Sequence, residues 1–379
     1  MINKDLNNYN GYIEGFYGKL LSWDDRNLII KKLNKNKMNS YFYAPKEDIY
    51  HRFLWRKLYD KEWLNNFKNF CEFSKSKKIS ILAGVSPGLD FRFHNKNTFN
   101  KDMSILKNKF SKLLENGASK IVLLLDDIPN DFNKKFSKLD EGIEHAKLCN
   151  EINKEFQNNL IVIPRVYADE LINESKDYLK SFLKELSDDI PLFYTGEYII
   201  SYQHNSKNKH VKKKIINNEV IFWDNFYAND YCPNKFFLGW PQFKNNKKNI
   251  MFNLTGMINT DLLLLDIINA YFLNQKKSSL KKILNKHGVP EVFFKLYFFF
   301  NRPINLKKIT LQKFKYKNSL LNSLDFLLWN WKSPLAREWY VFLFNLKCDL
   351  QIYNKELKFE KIVKTQTIPI QNKLNNLKE

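Results

Sequence analysis

Two kinds of hydrophobic pattern alternate along the chain from its first residues to about Leu273. Short runs of β-branched or aromatic residues, bounded by turn residues, indicate strands. Longer stretches with apolar positions three or four residues apart indicate amphipathic helices. The eight predicted strands cover residues 11–18, 39–45, 79–87, 121–128, 160–167, 191–196, 220–225 and 249–255. The clearest predicted helices between them cover residues 26–36, 64–77, 102–116 and 141–156, and Gly117 predicts a helix end.

This order of elements favours one α/β architecture over another. Eight strand–helix units in about 275 residues are typical of the (β/α)8 TIM barrel. The competing architecture is an open, doubly wound sheet, whose nucleotide-binding form carries a GxGxxG turn and a later acidic residue. The first predicted strand carries GYIEGFYG instead, with glycines at positions 11, 15 and 18 and no suitable acidic residue after them. The pattern therefore predicts the barrel.

The pattern changes to purely helical periodicity after Leu273. Residues 276–286 form a basic helical stretch, and residues 320–331 and 335–354 are apolar with helical spacing and rich in tryptophan. The simplest interpretation is a (β/α)8 catalytic domain in residues 1–275, followed by a small all-helical, basic C-terminal domain in residues 276–379.

Composition excludes a disordered chain and leaves two interpretations of the charge. Of the 379 residues, 44% are hydrophobic and 16% aromatic, which is enough to form a sizeable core. The formal net charge is +22, but only 7 of the 62 basic residues are arginine, the residue that nucleic-acid binders generally use. Most of this charge is therefore interpreted as solvated surface. Residues 276–379, however, hold 21 basic and 7 acidic side chains, which predicts a weak polyanion contact there.

Neither the cysteines nor the apolar runs indicate a secreted or membrane protein. The four cysteines are far apart and show no CxxC spacing, which argues against a structural zinc site or a disulfide framework. The first residues lack the apolar run of a signal peptide, and no run of 18 apolar residues occurs. The expectation is a cytoplasmic protein.

Candidate chemistry collects after the predicted strands, where the active site of a TIM barrel lies. The sharpest feature is Asp126-Asp127, which follows the apolar run 121–124. Adjacent strand residues point to opposite faces, so both carboxylates can reach one site only if the strand ends between them. Two carboxylates held close together have divergent pKa values and can supply an acid and a base. The alternative is that one Asp caps the next helix and the other is solvated.

The end of the seventh predicted strand interleaves aromatic residues with Asn and Asp. Residues 223–230 read WDNFYAND. Aromatic rings cover the apolar faces of sugars, and amide or carboxylate groups bind the hydroxyls, so this composition suits a sugar pocket. The alternative is that the rings pack in the barrel wall.

The strand-end motifs, taken together, resemble one family. GYIEGFYG, YFYAPKEDIYHR, SPGLD, LLLDDI, TG and WDNFYAND occur in this order over residues 11 to about 275. They closely resemble glycoside hydrolase family 84, the β-N-acetylglucosaminidases that include protein O-GlcNAcases and bacterial relatives described as hyaluronidases. The resemblance implies a (β/α)8 barrel that hydrolyses terminal β-linked N-acetylglucosamine with retention, without a metal or organic cofactor.

The resemblance also implies a mechanism and a set of site residues. The acetamido oxygen of the substrate attacks the anomeric carbon to form an oxazoline; Asp126 holds the acetamido N–H, and Asp127 protonates the leaving oxygen and then deprotonates water. The implied pocket consists of the Gly11 backbone and Lys46 at sugar hydroxyls, Asn225 at the acetamido region, Asp230 and Asn253 at the far hydroxyls, and Tyr167 and Trp223 as walls of the N-acetyl pocket.

Two positions depart from the family pattern. Leu254 and Thr255 follow Asn253 where the family usually has Pro, and Tyr194 stands where Trp is common. The leading hypothesis is an exo-β-N-acetylglucosaminidase acting on a GlcNAc-containing glycoconjugate or oligosaccharide. The alternatives are an endo-acting, hyaluronidase-like glycosidase and a sugar- or polyanion-binding protein on the same barrel.

Overall fold

The chain forms two compact units. The computed structural model describes residues 8–128, 138–174, 176–200, 218–232, 234–241, 249–301 and 317–353. One unit comprises Met1–Asp230 and Pro241–Leu273, and the other comprises Tyr231–Trp240 and Asn274–Glu379. The sequence boundary at residue 275 stays a prediction, and the periodicity gave no sign that Tyr231–Trp240 groups with the second unit.

The first unit is a closed barrel of eight parallel strands, each paired with its neighbours in chain order, with the last strand paired to the first. The strands are β1 Asn10–Glu14, β2 Ser40–Tyr43, β3 Ser80–Val85, β4 Lys120–Leu124, β5 Leu160–Ile163, β6 Leu192–Tyr194, β7 Val220–Asp224 and β8 Ile250–Asn253. All eight predicted strands are confirmed, and so is the (β/α)8 barrel. Each strand is shorter than predicted because the residues that follow it leave the hydrogen-bonded ladder and form the loops of the barrel rim.

Helices surround the barrel strands. They are α1 Trp23–Lys35, α2 Lys61–Ser76, α3 Lys96–Glu115, α4 Lys138–Glu155, α5 Lys176–Glu185 and α6 Ile258–Phe272. The four predicted helices are confirmed but begin earlier than predicted, because polar capping residues start them before the first apolar position. Ser22 accepts a hydrogen bond from the backbone N–H of Asp25 before α1, and Asp60 accepts one from that of Trp63 before α2. Gly117 follows α3 with a φ of 101°, the left-handed conformation expected after a helix.

Alternation along each strand divides its side chains between the barrel interior and the helices. In β4, Val122 and Leu124 belong to the interior cluster, and in β2 Phe42 does. The rings of Phe42 and Phe193 stack at a centroid distance of 5.2 Å inside the barrel. The outward positions of β1 and β2 carry polar atoms instead, and these contact the helices.

Glu14 and Arg26 form a buried ion pair between β1 and α1. The guanidinium of Arg26 donates two hydrogen bonds to the Glu14 carboxylate, at 2.8 and 2.9 Å, and the Tyr41 hydroxyl donates a third at 2.5 Å. Both charged side chains are buried. Glu14 belongs to the GYIEGFYG motif, but its carboxylate is directed to α1 and supports the fold.

The second unit is helical, as predicted. Its helices are α7 Ser279–Lys286, α8 Tyr297–Phe300, α9 Lys317–Asp325 and α10 Pro334–Tyr353. Trp339 of α10 is fully buried and lies with its ring 4.7 Å from Phe236 and 5.2 Å from Phe293. Parts of the basic segment, residues 302–316 and 354–379, lie outside the described residues, and the polyanion contact stays a prediction.

The described part of the chain contains neither a candidate membrane span nor a candidate metal cluster. No helix in it has the length and apolar character needed to cross a membrane. No group of three or more His, Cys, Asp or Glu side chains within it is arranged to hold a metal ion.

Arg26→Met is expected to lower the free energy of unfolding by about 3–5 kcal/mol, because it leaves the carboxylate of Glu14 buried without its counter-ion. Urea unfolding followed by circular dichroism measures this. Lys147→Met is the matched control, since Lys147 pairs with Glu144 on the surface of α4 and such pairs contribute at most about 1 kcal/mol. Equal losses in the two variants would contradict the buried-pair interpretation.

Candidate active site

The ends of the strands bring polar side chains to one rim of the barrel. In β4 the inward positions Val122 and Leu124 are followed, two residues later, by Asp126. Lys46 stands in the same relation to the inward residue Ala44 after β2. The two side chains meet, with Nζ of Lys46 2.8 Å from Oδ2 of Asp126. The inward register of the barrel thus continues past the strands into the site.

Asp126 is buried, and its two carboxylate oxygens have different surroundings. Oδ2 accepts the hydrogen bond from Lys46. Oδ1 is buried and has no hydrogen-bond partner among the described residues. An unsatisfied buried acceptor costs free energy, and such atoms are normally hydrogen-bonded. Oδ1 of Asp126 is therefore placed to accept a hydrogen bond from a bound molecule.

Lys46 contacts both carboxylates of the Asp126-Asp127 pair. Its Nζ lies 3.4 Å from Oδ2 of Asp127 as well as 2.8 Å from Oδ2 of Asp126. Burial favours the neutral amine, but the two carboxylates outweigh it and raise the pKa of Lys46 well above its ordinary value. The family resemblance implies a contact of this lysine with sugar hydroxyls, and the two ion pairs were not predicted from the sequence. The lysine opposes the repulsion expected between the adjacent carboxylates.

Asp127 reaches the same site because its backbone leaves the strand conformation. Strand alternation does not apply to the two acids, because β4 already ends at Leu124, before both of them. Asp127 has a φ of 54°, in the left-handed region that non-glycine residues rarely occupy. Its side chain, 30% exposed, accepts hydrogen bonds from the Tyr17 hydroxyl at 2.8 Å and the Tyr167 hydroxyl at 3.0 Å.

These surroundings favour the ionised form of Asp127. Burial raises the pKa of its carboxyl, but Lys46, the hydroxyls of Tyr17 and Tyr167, and Arg52 together lower it further, so the net pKa lies below the ordinary value. Burial, with the nearby Asp127 carboxylate, raises the pKa of Tyr17 to about 12 and also raises that of Tyr167. Both tyrosines are therefore protonated donors, and their hydrogen bonds favour Asp127 as a carboxylate.

Three predicted pocket residues form a hydrogen-bonded chain at the carboxyl ends of β7 and β8. The indole Nε1 of Trp223 and the amide Nδ2 of Asn253 both donate to Oδ1 of Asn225, at 2.7 and 3.0 Å. Asn225 Nδ2 donates in turn to the carbonyl of Ile199 at 2.9 Å. Oδ1 of Asn253 is buried without a partner among the described residues, like Oδ1 of Asp126. Asn225 thus orients its neighbours, and Asn253 presents an acceptor.

The glycine assignment from the sequence needs correction. Gly11 is the second residue of β1, at the end away from the site, and a Cβ there would lie 1.7 Å from the carbonyl oxygen of Ser40. Close strand pairing explains that glycine. Gly15 follows the last residue of β1, and a Cβ there would lie 2.6 Å from the ring of Trp223, so Gly15 is the glycine at the rim. Asp230 is also at the rim, where its Oδ2 accepts the backbone N–H of Tyr17 at 3.1 Å.

Tyr194, one of the departures from the family pattern, does not contact the acids. Its hydroxyl donates to Oδ1 of Asp169 at 2.6 Å. The neighbouring Thr195 donates through both its backbone N–H, at 2.8 Å, and its hydroxyl, at 3.1 Å, to the carbonyl of Tyr167. This end of β6 therefore supports the backbone that carries Tyr167.

Three residues of the site were not predicted from the sequence. Tyr17 and Gly15 lie in GYIEGFYG, and Arg52 lies in YFYAPKEDIYHR. All three belong to quoted motifs, so the signal was present. Position alone did not reveal them, because the contacts of Tyr17 and Arg52 depend on the turn at Asp127, and that of Gly15 depends on the approach of the Trp223 ring.

Comparison with known proteins identifies a family and a shared fold. Residues 10–261 match the family described as β-N-acetylglucosaminidase (NAGidase). The protein O-GlcNAcases of Rattus norvegicus and Mus musculus are 28% and 29% identical over 255 residues, or 65% of this chain. The chain spans 27% of the length of these relatives. The solved structure entitled "Structure of CpGH84B" superposes with a TM-score of 0.69 at 23% identity, over 98% of this chain and 73% of that one, and shares the fold.

Tyr17→Phe is expected to raise the pKa of Asp127, because a hydrogen bond that favours the carboxylate is lost. The titration of 13C-labelled aspartate carboxyls by NMR measures this, with the Asp127 signal assigned from its absence in Asp127→Asn. Tyr340→Phe, at an exposed tyrosine of the second unit, is the control. An unchanged Asp127 midpoint in Tyr17→Phe would contradict the described arrangement.

Proposed function

The chain belongs to the β-N-acetylglucosaminidase family, glycoside hydrolase family 84, and from that premise we propose that it is a retaining exo-β-N-acetylglucosaminidase that uses substrate-assisted catalysis. The observation that carries the proposal is the pair of acids at the rim. Asp126 is buried, with one oxygen bound by Lys46 and the other without a partner among the described residues. Asp127 is more exposed and is held by two tyrosines.

Asp126 is suited to hold the acetamido group of the substrate. Its Oδ1 is a single buried acceptor, which matches the single N–H of an N-acetyl group. The hydrogen bond would orient the acetamido oxygen toward the anomeric carbon, where it attacks and forms an oxazoline. Because positive charge develops on the acetamido nitrogen in this step, a buried carboxylate stabilises the transition state more than the ground state.

Asp127 is suited to transfer a proton to the leaving oxygen. Both of its carboxylate oxygens accept a hydrogen bond from a tyrosine hydroxyl, and this lowers its pKa. A glycosidic oxygen that approaches Asp127 has to replace one of these donors, and the bound sugar excludes water. Loss of a donor and of water both raise the pKa of the carboxyl, so that it takes up a proton from solvent as the substrate binds. Asp127 then gives this proton to the leaving oxygen and later takes one from the attacking water.

The remaining rim residues would bind the sugar ring. Tyr167 and Trp223 supply ring surface for the N-acetyl pocket, and Oδ1 of Asn253 supplies an acceptor for a hydroxyl. Lys46 donates one hydrogen bond to Asp126 and forms an ion pair with Asp127, and its remaining N–H groups can donate to a sugar hydroxyl. Asp230 and Asn225 complete the proposed set; Gly11 does not belong to it.

The proposed substrate is a GlcNAc-containing glycoconjugate or oligosaccharide. The relatives named protein O-GlcNAcase support a protein-linked sugar as one such substrate. A cytoplasmic location belongs to the same proposal. Contact with a polyanion would be a secondary property, carried by exposed lysines of α7 such as Lys282 and Lys286.

The protein is expected to release nitrophenol from the 4-nitrophenyl β-glycoside of N-acetylglucosamine but not from the matching glucoside, because only the first carries the acetamido nucleophile. Asp126→Asn and Asp127→Asn are each expected to lower kcat by about 10²–10⁴-fold. Asp188→Asn, at an exposed position before β6, is the control. Equal activity on both sugars would contradict substrate assistance, and a folded protein inactive on both would overturn the proposed function.

Exo action with retention predicts specific first products. A reduced chitooligosaccharide is expected to lose single N-acetylglucosamine units from its non-reducing end, and 1H NMR is expected to show the β anomer before mutarotation. Internal fragments from this substrate or from hyaluronan would favour the endo-acting alternative. An α anomer formed first would contradict the retaining mechanism.

A further inference from the structure

Arg52 connects two strand ends of the site. It follows β2 in the chain and is buried. Its Nη2 donates to the backbone carbonyl of Asp127 at 2.7 Å, and its Nη1 donates to the hydroxyl oxygen of Tyr17 at 3.1 Å. The same Nη1 lies 3.9 Å from Oδ2 of Asp127.

We infer that Arg52 is a positioning residue for the proton donor, which fixes the backbone turn at Asp127 and the direction of the Tyr17 hydroxyl. The inference rests on the proposed function of Asp127. Arg52 would act through these two residues and would not itself contact the reacting atoms.

The backbone of Asp127 has a strained conformation that Arg52 restrains. The alternation of β4 would direct the side chain of Asp127 away from the pocket that Asp126 faces. A left-handed φ of 54° changes that direction, and such strain persists where surrounding structure enforces it. The charged hydrogen bond from Nη2 of Arg52 to the carbonyl of Asp127 supplies this restraint.

Arg52 also determines the direction in which the Tyr17 hydroxyl donates its proton. A phenol has one proton to donate, and Nη1 of Arg52 occupies the acceptor side of the oxygen. The proton of Tyr17 is therefore directed to Oδ2 of Asp127, at 2.8 Å. A lysine in place of Arg52 has one point of donation, whereas the planar guanidinium reaches the carbonyl and the phenol together.

The buried position of Arg52 is poorly explained by a contribution to the stability of the fold. Its Nε is buried without a hydrogen-bond partner among the described residues. A buried, unpaired donor lowers stability. The loop that carries Arg52 is held independently by Lys109 of α3, whose Nζ donates to the carbonyls of Tyr50, Trp55 and Lys57. The arginine therefore serves the site more than the loop.

Charge is the smaller part of the effect. The ionisable groups that face Asp127 are Lys46 and Arg52 after β2, Tyr17 after β1, Tyr167 after β5 and the neighbouring Asp126. Lys46 is closer to the carboxylate than Arg52 is, at 3.4 against 3.9 Å. Removal of Arg52 is thus expected mainly to misalign Asp127, and secondarily to raise its pKa.

A series of aryl β-glycosides of N-acetylglucosamine with leaving groups of different acidity tests the inference. Arg52→Lys is expected to lower kcat/KM by about 10–100-fold for the phenyl glycoside, which needs a proton donor, and to leave the 2,4-dinitrophenyl glycoside nearly unchanged. Arg56→Lys is the matched control on the same loop, because Arg56 pairs with Asp102 and Asp90. Thermal melting establishes that both variants are folded.

The pH profile gives a second readout that a structural role would not move. Arg52→Gln removes the cation, so the pKa of Asp127 rises, and the alkaline limb of kcat/KM is expected to shift to higher pH. Arg52→Lys keeps the cation and is expected to leave that limb in place. Equal losses across the leaving-group series, or an unmoved limb in Arg52→Gln, would overturn the inference. Wild type inactive on every glycoside would overturn the proposed function instead.

Discussion

One buried ammonium group allows two neighbouring carboxylates to occupy the same barrel rim. Nζ of Lys46 lies within 3.4 Å of an oxygen of both Asp126 and Asp127. Without a cation, the two adjacent carboxylates would repel each other, and one would take up a proton. With it, one oxygen of Asp126 is occupied and the other stays available, while Asp127 remains a carboxylate that two tyrosines can bind. The distinct surroundings of the two acids follow from this one ion pair network.

The sequence predicted the barrel from periodicity and most of the rim residues from the family resemblance, and the two agree in register. The strand spacing fixed the eight strands, and the inward register that continues beyond them carries Lys46, Asp126, Tyr167, Asn225 and Asn253 to one place. Each of these residues lies an even number of positions after an inward residue of its strand. Counting positions from the last inward residue of each strand, and selecting polar residues at even distances, would therefore have identified these five residues without the family resemblance.

Two kinds of information were not available from periodicity. Height along a strand is one: at about 3.3 Å per residue, Gly11 lies on the order of 10 Å below the rim, whereas Gly15 reaches it. Local backbone conformation is the other, since the contacts of Tyr17 and Arg52 with Asp127 require its left-handed φ. Phe236 packs on Trp339, about a hundred residues later in the chain, and periodicity could not predict this contact either.

The left-handed backbone at Asp127 also restricts how this protein can diverge. Apart from glycine, asparagine and aspartate are the residues that occupy this conformation most readily. The easiest replacement at position 127 is therefore asparagine, which one base substitution reaches from either aspartate codon. Under the proposed function, such a descendant would keep the backbone turn and the side chains proposed to bind the sugar, and would lose only its proton donor. If Asp127 has the proposed role, one base substitution separates this glycosidase from a protein that binds the sugar without cleaving it.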